Sequence, residues 1–153
     1  MRRISALALA ALLALSPLAR ASGSIILAAT TDSLELETSG AFSTDYSCSW
    51  VDSTTSAFTP GSTTGNISTA TTTTIVAAPA ASTQRKISGC QVYNRSGSTQ
   101  TVTFKRDISA TEYFMFKTAL LTLEFVQWNE EDGFRIFDAN GLVKSPLVIG
   151  GGT

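Results

Sequence analysis

The residues with the clearest capacity for chemistry are three adjacent carboxylates, Glu130, Glu131 and Asp132. Two suitably placed carboxylates can serve as the acid and the nucleophile or base of a glycoside hydrolase. These three stand between Asn129 and Gly133 in a predicted turn, and charge runs of this kind are usually solvated. We therefore predict an acidic surface turn there and assign no catalytic residue.

The sequence contains no histidine, and this excludes several catalytic designs. Ser-His-Asp and Cys-His mechanisms both need an imidazole, which is also the commonest zinc ligand. Nucleotide-binding and nucleophile-elbow signatures do not occur. Asp138 and Asn140 resemble part of a calcium loop, but Gly141 stands at the wrong offset for an EF-hand, so we interpret this segment as a turn. The sequence predicts a protein that is not an enzyme and needs neither cofactor nor metal.

Cys48 and Cys90 are the only cysteines, and they do not form a C-x-x-C redox motif. In an exported protein they would be a candidate disulfide, worth roughly 3–4 kcal/mol through loop-closure entropy. Two buried free thiols, which are ordinary in β cores, are the alternative. We favour the thiols, because the distance between strands cannot be read from a sequence.

The composition of the chain favours strands over helices. Thr and Ser contribute 22 and 19 residues, whereas charged residues make up only 15%. Thr is β-branched and fits a pleated, half-buried surface, and a chain rich in Thr and Ser forms helices poorly. The stretch from Ser53 to Arg85 is the extreme case, because Arg85 is its only ionised side chain. We expect this stretch to cross the width of a β protein.

The clearest strand pattern covers residues 42–50, where one face carries Phe42, Thr44, Tyr46, Cys48 and Trp50. The other face carries only Ser and Asp, so the period of two predicts an amphipathic strand. An exposed aromatic surface for sugar rings is the alternative use of the first face. We favour a core position for its aromatic side chains.

Further strands alternate with turn signals along the rest of the chain. We predict turns at Thr59-Pro60-Gly61, Gly65-Asn66, 94–98 and Asn140-Gly141. At least seven short strands at this spacing predict an antiparallel β-sandwich or jelly roll. The other predicted strands are 24–29, 34–37, 67–78, 86–93, 101–107, 112–116, 121–126 and 134–138.

The first 21 residues form a segment of their own. A basic start, an Ala/Leu-rich run and the triplet Ala19-Arg20-Ala21 are the three parts of a secretory signal peptide. A wrongly extended reading frame is the alternative, and in both cases residues 22–153 form the single domain. The apolar run is too short to span a bilayer, so no membrane partner is expected. Without this segment the net charge is −4, which argues against nucleic acid as a partner.

Several longer segments resemble a widespread set of small proteins encoded among the structural genes of tailed phages. In that set an S-x-V-D strand precedes a Thr-rich stretch, and a strand and an aromatic-D-A-x-G turn follow. The resemblance covers roughly residues 24–145. The segments that carry it are SLELETS, CSWVDSTTSAFTPGSTTGNISTATTTTIVAAPAASTQRKI, TVTFKRDISATEYF and GFRIFDANGLVKS.

The resemblance implies a virion structural protein, either a capsid decoration (cement) protein or a tail-associated protein. Its expected partners are other virion proteins and further copies of itself, for example in a trimer. The members it resembles usually start near the position of Ser24, without a leader. A genuine leader would instead indicate an exported bacterial binding or adhesion module, secreted or periplasmic. Cytoplasmic assembly of a virion would keep Cys48 and Cys90 reduced.

Overall fold

The computed structural model describes residues 23–144, so the predicted leader lies outside the described residues. The described residues form strands and no helix, which confirms the all-β class. The strands are β1 (Ile26–Leu27), β2 (Asp32–Thr38), β3 (Thr44–Ser53), β4 (Phe58–Ile67), β5 (Thr72–Val76), β6 (Gln84–Asn94), β7 (Gln100–Ile108), β8 (Thr111–Leu120), β9 (Phe125–Asn129) and β10 (Gly133–Phe137).

These strands build two antiparallel sheets that pack face to face, as predicted for a β-sandwich. Sheet 1 has the order β10-β9-β6-β3-β4, and β1 also pairs with β6. Sheet 2 has the order β5-β2-β7-β8. Since consecutive strands repeatedly change sheets, most contacts join residues that are distant in the sequence.

The core consists of the inward faces of both sheets. Leu34 and Leu36 of β2 are fully buried, as are Val102 and Phe104 of β7. Each pair is separated by one residue, so its two side chains share the inward face of their strand. Sheet 1 contributes aliphatic residues and Trp128, which is 3% exposed. The alternation predicted for β2 and β7 is thus confirmed.

The aromatic face predicted for residues 42–50 lies only partly in the core. Tyr46 and Trp50 pack against the buried cluster, as expected. Phe42 does not, because β3 begins at Thr44 and residues 40–42 form a bend before it. The side chain of Phe42 is 37% exposed, so its predicted core position is wrong.

Two predicted turns are wrong because their residues belong to a single strand. Pro60, Gly61, Gly65 and Asn66 all lie inside β4, which pairs with β3 over ten consecutive residue pairs without a register shift. Proline is tolerated here because β4 is an edge strand. The glycines are tolerated because rings from β3 cover them: a Cβ atom on Gly61 would lie 2.6 Å from Nε1 of Trp50.

Several other predicted strands have the wrong extent. The strand predicted over 24–29 shortens to Ile26–Leu27, and that predicted over 112–116 lengthens to Thr111–Leu120. The strand predicted over 67–78 shortens to Thr72–Val76, because Ser68 to Thr71 connect sheet 1 to sheet 2. The strand predicted over 121–126 begins only at Phe125, since Leu121 to Glu124 form a turn that includes Leu123 at φ 62°.

Substitution of Gly65 by alanine is expected to destabilise the fold, because a Cβ atom there would lie 2.6 Å from the hydroxyl oxygen of Tyr46. Such overpacking costs about 1–3 kcal/mol, which urea denaturation measures directly. Gly97→Ala is the matched control, since nothing lies within 4 Å of a Cβ atom at that position. Equal stability losses in the two variants would show that the Tyr46 ring does not hold its place over β4.

Candidate assembly interface

Besides the two-residue β1, four strands form the edges of the sandwich, and three of them are short, covered or interrupted by bulges and charges. The first, β10, is covered on its outer side by residues 142–144. The amide of Lys144 donates to the carbonyl of Ile136 at 2.8 Å, and Phe137 forms a bridge with Val143. The edge of β10 is therefore closed to further strand pairing along this part.

Both edge strands of sheet 2 have features that hinder the addition of another strand. Strand β5 has only five residues and its pairing with β2 is interrupted by a bulge. Strand β8 carries the charged residues Glu112 and Lys117, and its pairing with β7 is also bulged. Short length, charge and bulges are the devices by which proteins prevent strand addition at an edge.

Strand β4 differs from the other three edges. It is ten residues long, carries no ionisable side chain and pairs with β3 without a bulge. Within residues 23–144 no strand pairs with its outer side. Most of its residues are exposed, among them Phe58 at 80%. Such an edge is a ready template for another β-strand.

The direction of the peptide groups of β4 follows from the pairing inside sheet 1. The Cα atoms of Cys48 and Cys90 are 4.1 Å apart, as expected for a pair without mutual backbone hydrogen bonds. The amide of Ile87 likewise points away from β3 and donates to Ile25 at 2.9 Å. Hence Cys48 and Trp50 direct their peptide groups toward β4 and bind Thr63 and Gly61, their partners in the register.

Because the peptide groups of successive residues point to opposite sides of a strand, those of the alternate residues of β4 point to its open side. Ser62, Thr64 and Asn66 direct their N–H and C=O groups outward, as does Phe58. Pro60 has the same orientation but has no N–H group to donate. The open edge therefore offers an uninterrupted run of donors and acceptors from Ser62 to Asn66.

Cys48 and Cys90 lie directly opposite one another in the central strands β3 and β6. The structure joins their sulfur atoms in a disulfide, and the described residues include no free cysteine. Both residues are buried, at 1% and 3% exposure. The structure thus contains the cross-link and not the two free thiols favoured from the sequence.

The carboxylates considered for acid–base chemistry lie on the surface, and two of the three take part in ion pairs. Glu130 pairs with Lys86 at 2.7 Å, and this contact lowers the pKa of Glu130. Asp132 pairs with Arg135 three residues later. Glu131 is exposed in the same turn, as expected for a solvated acidic segment.

The segment Asp138-Ala139-Asn140-Gly141 forms the predicted turn. One carboxylate oxygen of Asp138 accepts from the amides of Asn140 and Leu142, both at 2.9 Å. These bonds lower the pKa of Asp138. Gly141 has a φ of 79°, which glycine adopts readily. Among residues 23–144 no group of His, Cys, Asp or Glu side chains has the arrangement of a metal site.

The outer face of sheet 2 carries a charge cluster around Lys105. This lysine is 5% exposed and pairs with Glu37 at 2.5 Å and Glu112 at 2.8 Å, and these partners raise its pKa. Burial, and then the charge of Asp107, raises the pKa of Glu35 in the same cluster. The paired lysine explains how these carboxylates are tolerated side by side, so we interpret the cluster as structural.

The outer face of sheet 1 carries a shallow depression of about 320 Å³. Asp45, Ser47, Gln91, Tyr93 and Arg95 contribute to its lining. Next to it, the rings of Phe125 and Phe137 stack at 4.6 Å, and the Tyr93 ring lies 6.0 Å from that of Phe125. The depression also holds the ion pair of Arg95 with Asp45 at 3.2 Å. An aromatic row beside polar and charged groups is a surface on which sugar rings can stack.

A comparison with protein-family models, curated proteins and solved structures found no match to this chain. The resemblance to tailed-phage structural proteins therefore stays a prediction from the sequence motifs. Among the described residues no helix is long and apolar enough to cross a membrane.

Proposed function

We propose that this chain is a non-enzymatic structural component of a tailed-phage virion, a capsid decoration or tail-associated protein that acts by assembly. The observation that carries the proposal is the open edge of β4, which has ten residues and no charge. Proteins that remain monomeric usually protect such edges. The phage-like segments named from the sequence support the same function.

The acidic side chains also fit a structural role. Glu130 and Asp132 each pair with a neighbouring basic residue on the surface, and Asp138 closes a turn. No described depression brings two of these carboxylates together. The arrangement supports solubility and turn formation better than acid–base catalysis.

Addition of the purified protein to virus particles that lack it tests the proposal. We expect binding at a fixed number of copies per particle, counted by cryo-electron microscopy, because symmetric assemblies have defined sites. Particles that already carry the protein are the control and should bind no more. If no ordered binding occurs, and if the protein cleaves a polysaccharide unless Glu130 or Asp132 is neutralised, the protein is an enzyme instead.

An exported binding module is the second candidate, and the disulfide favours it. Disulfides persist in the periplasm and in secreted proteins but rarely in the cytosol, where a virion assembles. The aromatic row and the depression on sheet 1 would then be the binding surface. Cell fractionation separates the candidates: an exported module is found outside the cytoplasm of cells that carry no phage particles.

A further inference from the structure

The open groups of β4 are arranged symmetrically about one residue. Pro60 ends the run on one side, because its ring occupies the place of the N–H group and would meet the carbonyl of an added strand. Strand β4 ends at Ile67 on the other side. Between these limits the outward residues are Ser62, Thr64 and Asn66, with Thr64 in the middle.

A run of this kind is complementary to itself in antiparallel orientation. When Thr64 of one copy lies opposite Thr64 of a second copy, Ser62 of each copy lies opposite Asn66 of the other. Each of these three pairs exchanges two backbone hydrogen bonds, about six in all. The small polar side chains also meet on one face, where the two Thr64 hydroxyl groups can pair across the axis.

Charge also favours a second copy as the partner. Because β4 has no ionisable side chain, two copies can meet there without repulsion between like charges. Pairing of β4 with β8 of another copy would place it against Glu112 and Lys117 and against a bulged strand. The uncharged edge β5 offers only five residues and a bulged pairing, and β10 is covered by residues 142–144. The least obstructed partner for β4 is therefore another β4.

We infer that two copies of the chain join through their β4 strands about a two-fold axis at Thr64, so that sheet 1 continues from one molecule into the next. The inference rests on the proposed function only in taking self-assembly as given. It also replaces the trimer expected from the sequence with an isologous dimer as the basic contact.

Cysteine cross-linking tests the register. In the inferred dimer the Cα atoms of the two Thr64 residues are about 5.5 Å apart, which a disulfide spans. Ser47 is the matched control, because it lies directly opposite Thr64 in β3 and is also exposed. Its two copies would be three strand spacings apart, roughly 14 Å, which is too far for a disulfide.

Mild oxidation of Thr64→Cys in the full chain is expected to give at least ten times more covalent dimer than oxidation of Ser47→Cys at the same concentration. Peptide mapping must show a bond between the two residues 64, with the Cys48–Cys90 bond intact. Equal yields of dimer from the two variants would overturn the inferred register.

A charge at the same place tests the contact without cysteine chemistry. Thr64→Lys places two ammonium groups opposite each other across the axis, so the weight-average mass in sedimentation should fall toward that of the monomer. Ser47→Lys adds the same charge one strand further in and should leave the mass unchanged. Circular dichroism checks that both variants keep the β fold.

The outcomes separate this inference from the proposed function. If the wild-type chain self-associates and occupies particles, but neither Thr64 variant behaves as expected, assembly stands and the β4 contact is wrong. A trimer in which Thr64→Cys cross-links only to a cysteine introduced into β8 leads to the same conclusion. A chain that stays monomeric and does not occupy particles contradicts both the inference and the function.

Discussion

Replacement of both Cys48 and Cys90 by alanine is expected to lower the free energy of unfolding by about 3–4 kcal/mol. The disulfide closes a loop with a sequence separation of 42 residues, which restricts the unfolded chain. It also joins β3 to β6, the two strands at the centre of sheet 1, and β3 supports the open edge β4. Loss of the cross-link should therefore weaken the whole of sheet 1.

Urea denaturation of three samples separates the cross-link from the packing of the sulfur atoms. The samples are the oxidised wild type, the reduced wild type and the double alanine variant. Reduction keeps the buried side-chain volume and removes only the bond, so it should account for most of the loss. If reduced and oxidised wild type differ by less than about 1 kcal/mol, the loop-closure argument fails for this pair.

The strands whose inward face is apolar were predictable from the sequence. In β2 and β7 the apolar residues Leu34, Leu36, Val102 and Phe104 recur at every second position, and all four are buried. This period depends on the strand alone, because a residue that faces the core in a strand is followed by one that faces outward. Local patterning therefore sufficed for the fold class.

Strand β4 was not predictable in this way, because whether its residues fit a strand depends on the side chains of β3 opposite them. Pro60 and Gly61 are turn signals locally, yet an edge strand tolerates the first and the Trp50 ring covers the second. Trp50 is ten or more residues from Pro60 and Gly61 along the chain. In the pairing of β3 with β4, however, it lies directly opposite Gly61. The one available signal was the combination of Thr and Ser with an absence of charge.

The candidate interface depends on register, which a single sequence does not contain. That Thr64 directs its peptide groups outward follows from the Cys48–Cys90 pairing and from the amide of Ile87. A shift of one residue between β3 and β4 would turn Thr63 outward instead. The same lack of register information left the disulfide and the free thiols as open alternatives.

Replacement of Phe104 by alanine is expected to cost about 3–5 kcal/mol, as is usual for a large aromatic residue in a core. Phe104 is 1% exposed and lies on β7 in the middle of sheet 2. Its ring centroid is 5.0 Å from that of Phe134 on β10, which belongs to sheet 1. The side chain therefore joins the two layers of the sandwich, and its removal leaves a cavity between them.

Phe114→Ala is the matched control, because it removes the same side chain from the neighbouring strand. Phe114 is 73% exposed and lies opposite Lys105, so its truncation should change stability by no more than about 1 kcal/mol. Since a domain of this size is stable by only about 5–15 kcal/mol, the Phe104 variant would lose a large share of its margin. Equal effects of the two substitutions would mean that the sheets are not held together through Phe104 and Phe134. The uncharged edge of β4 would then lack the rigid sandwich on which the inferred contact between two copies depends.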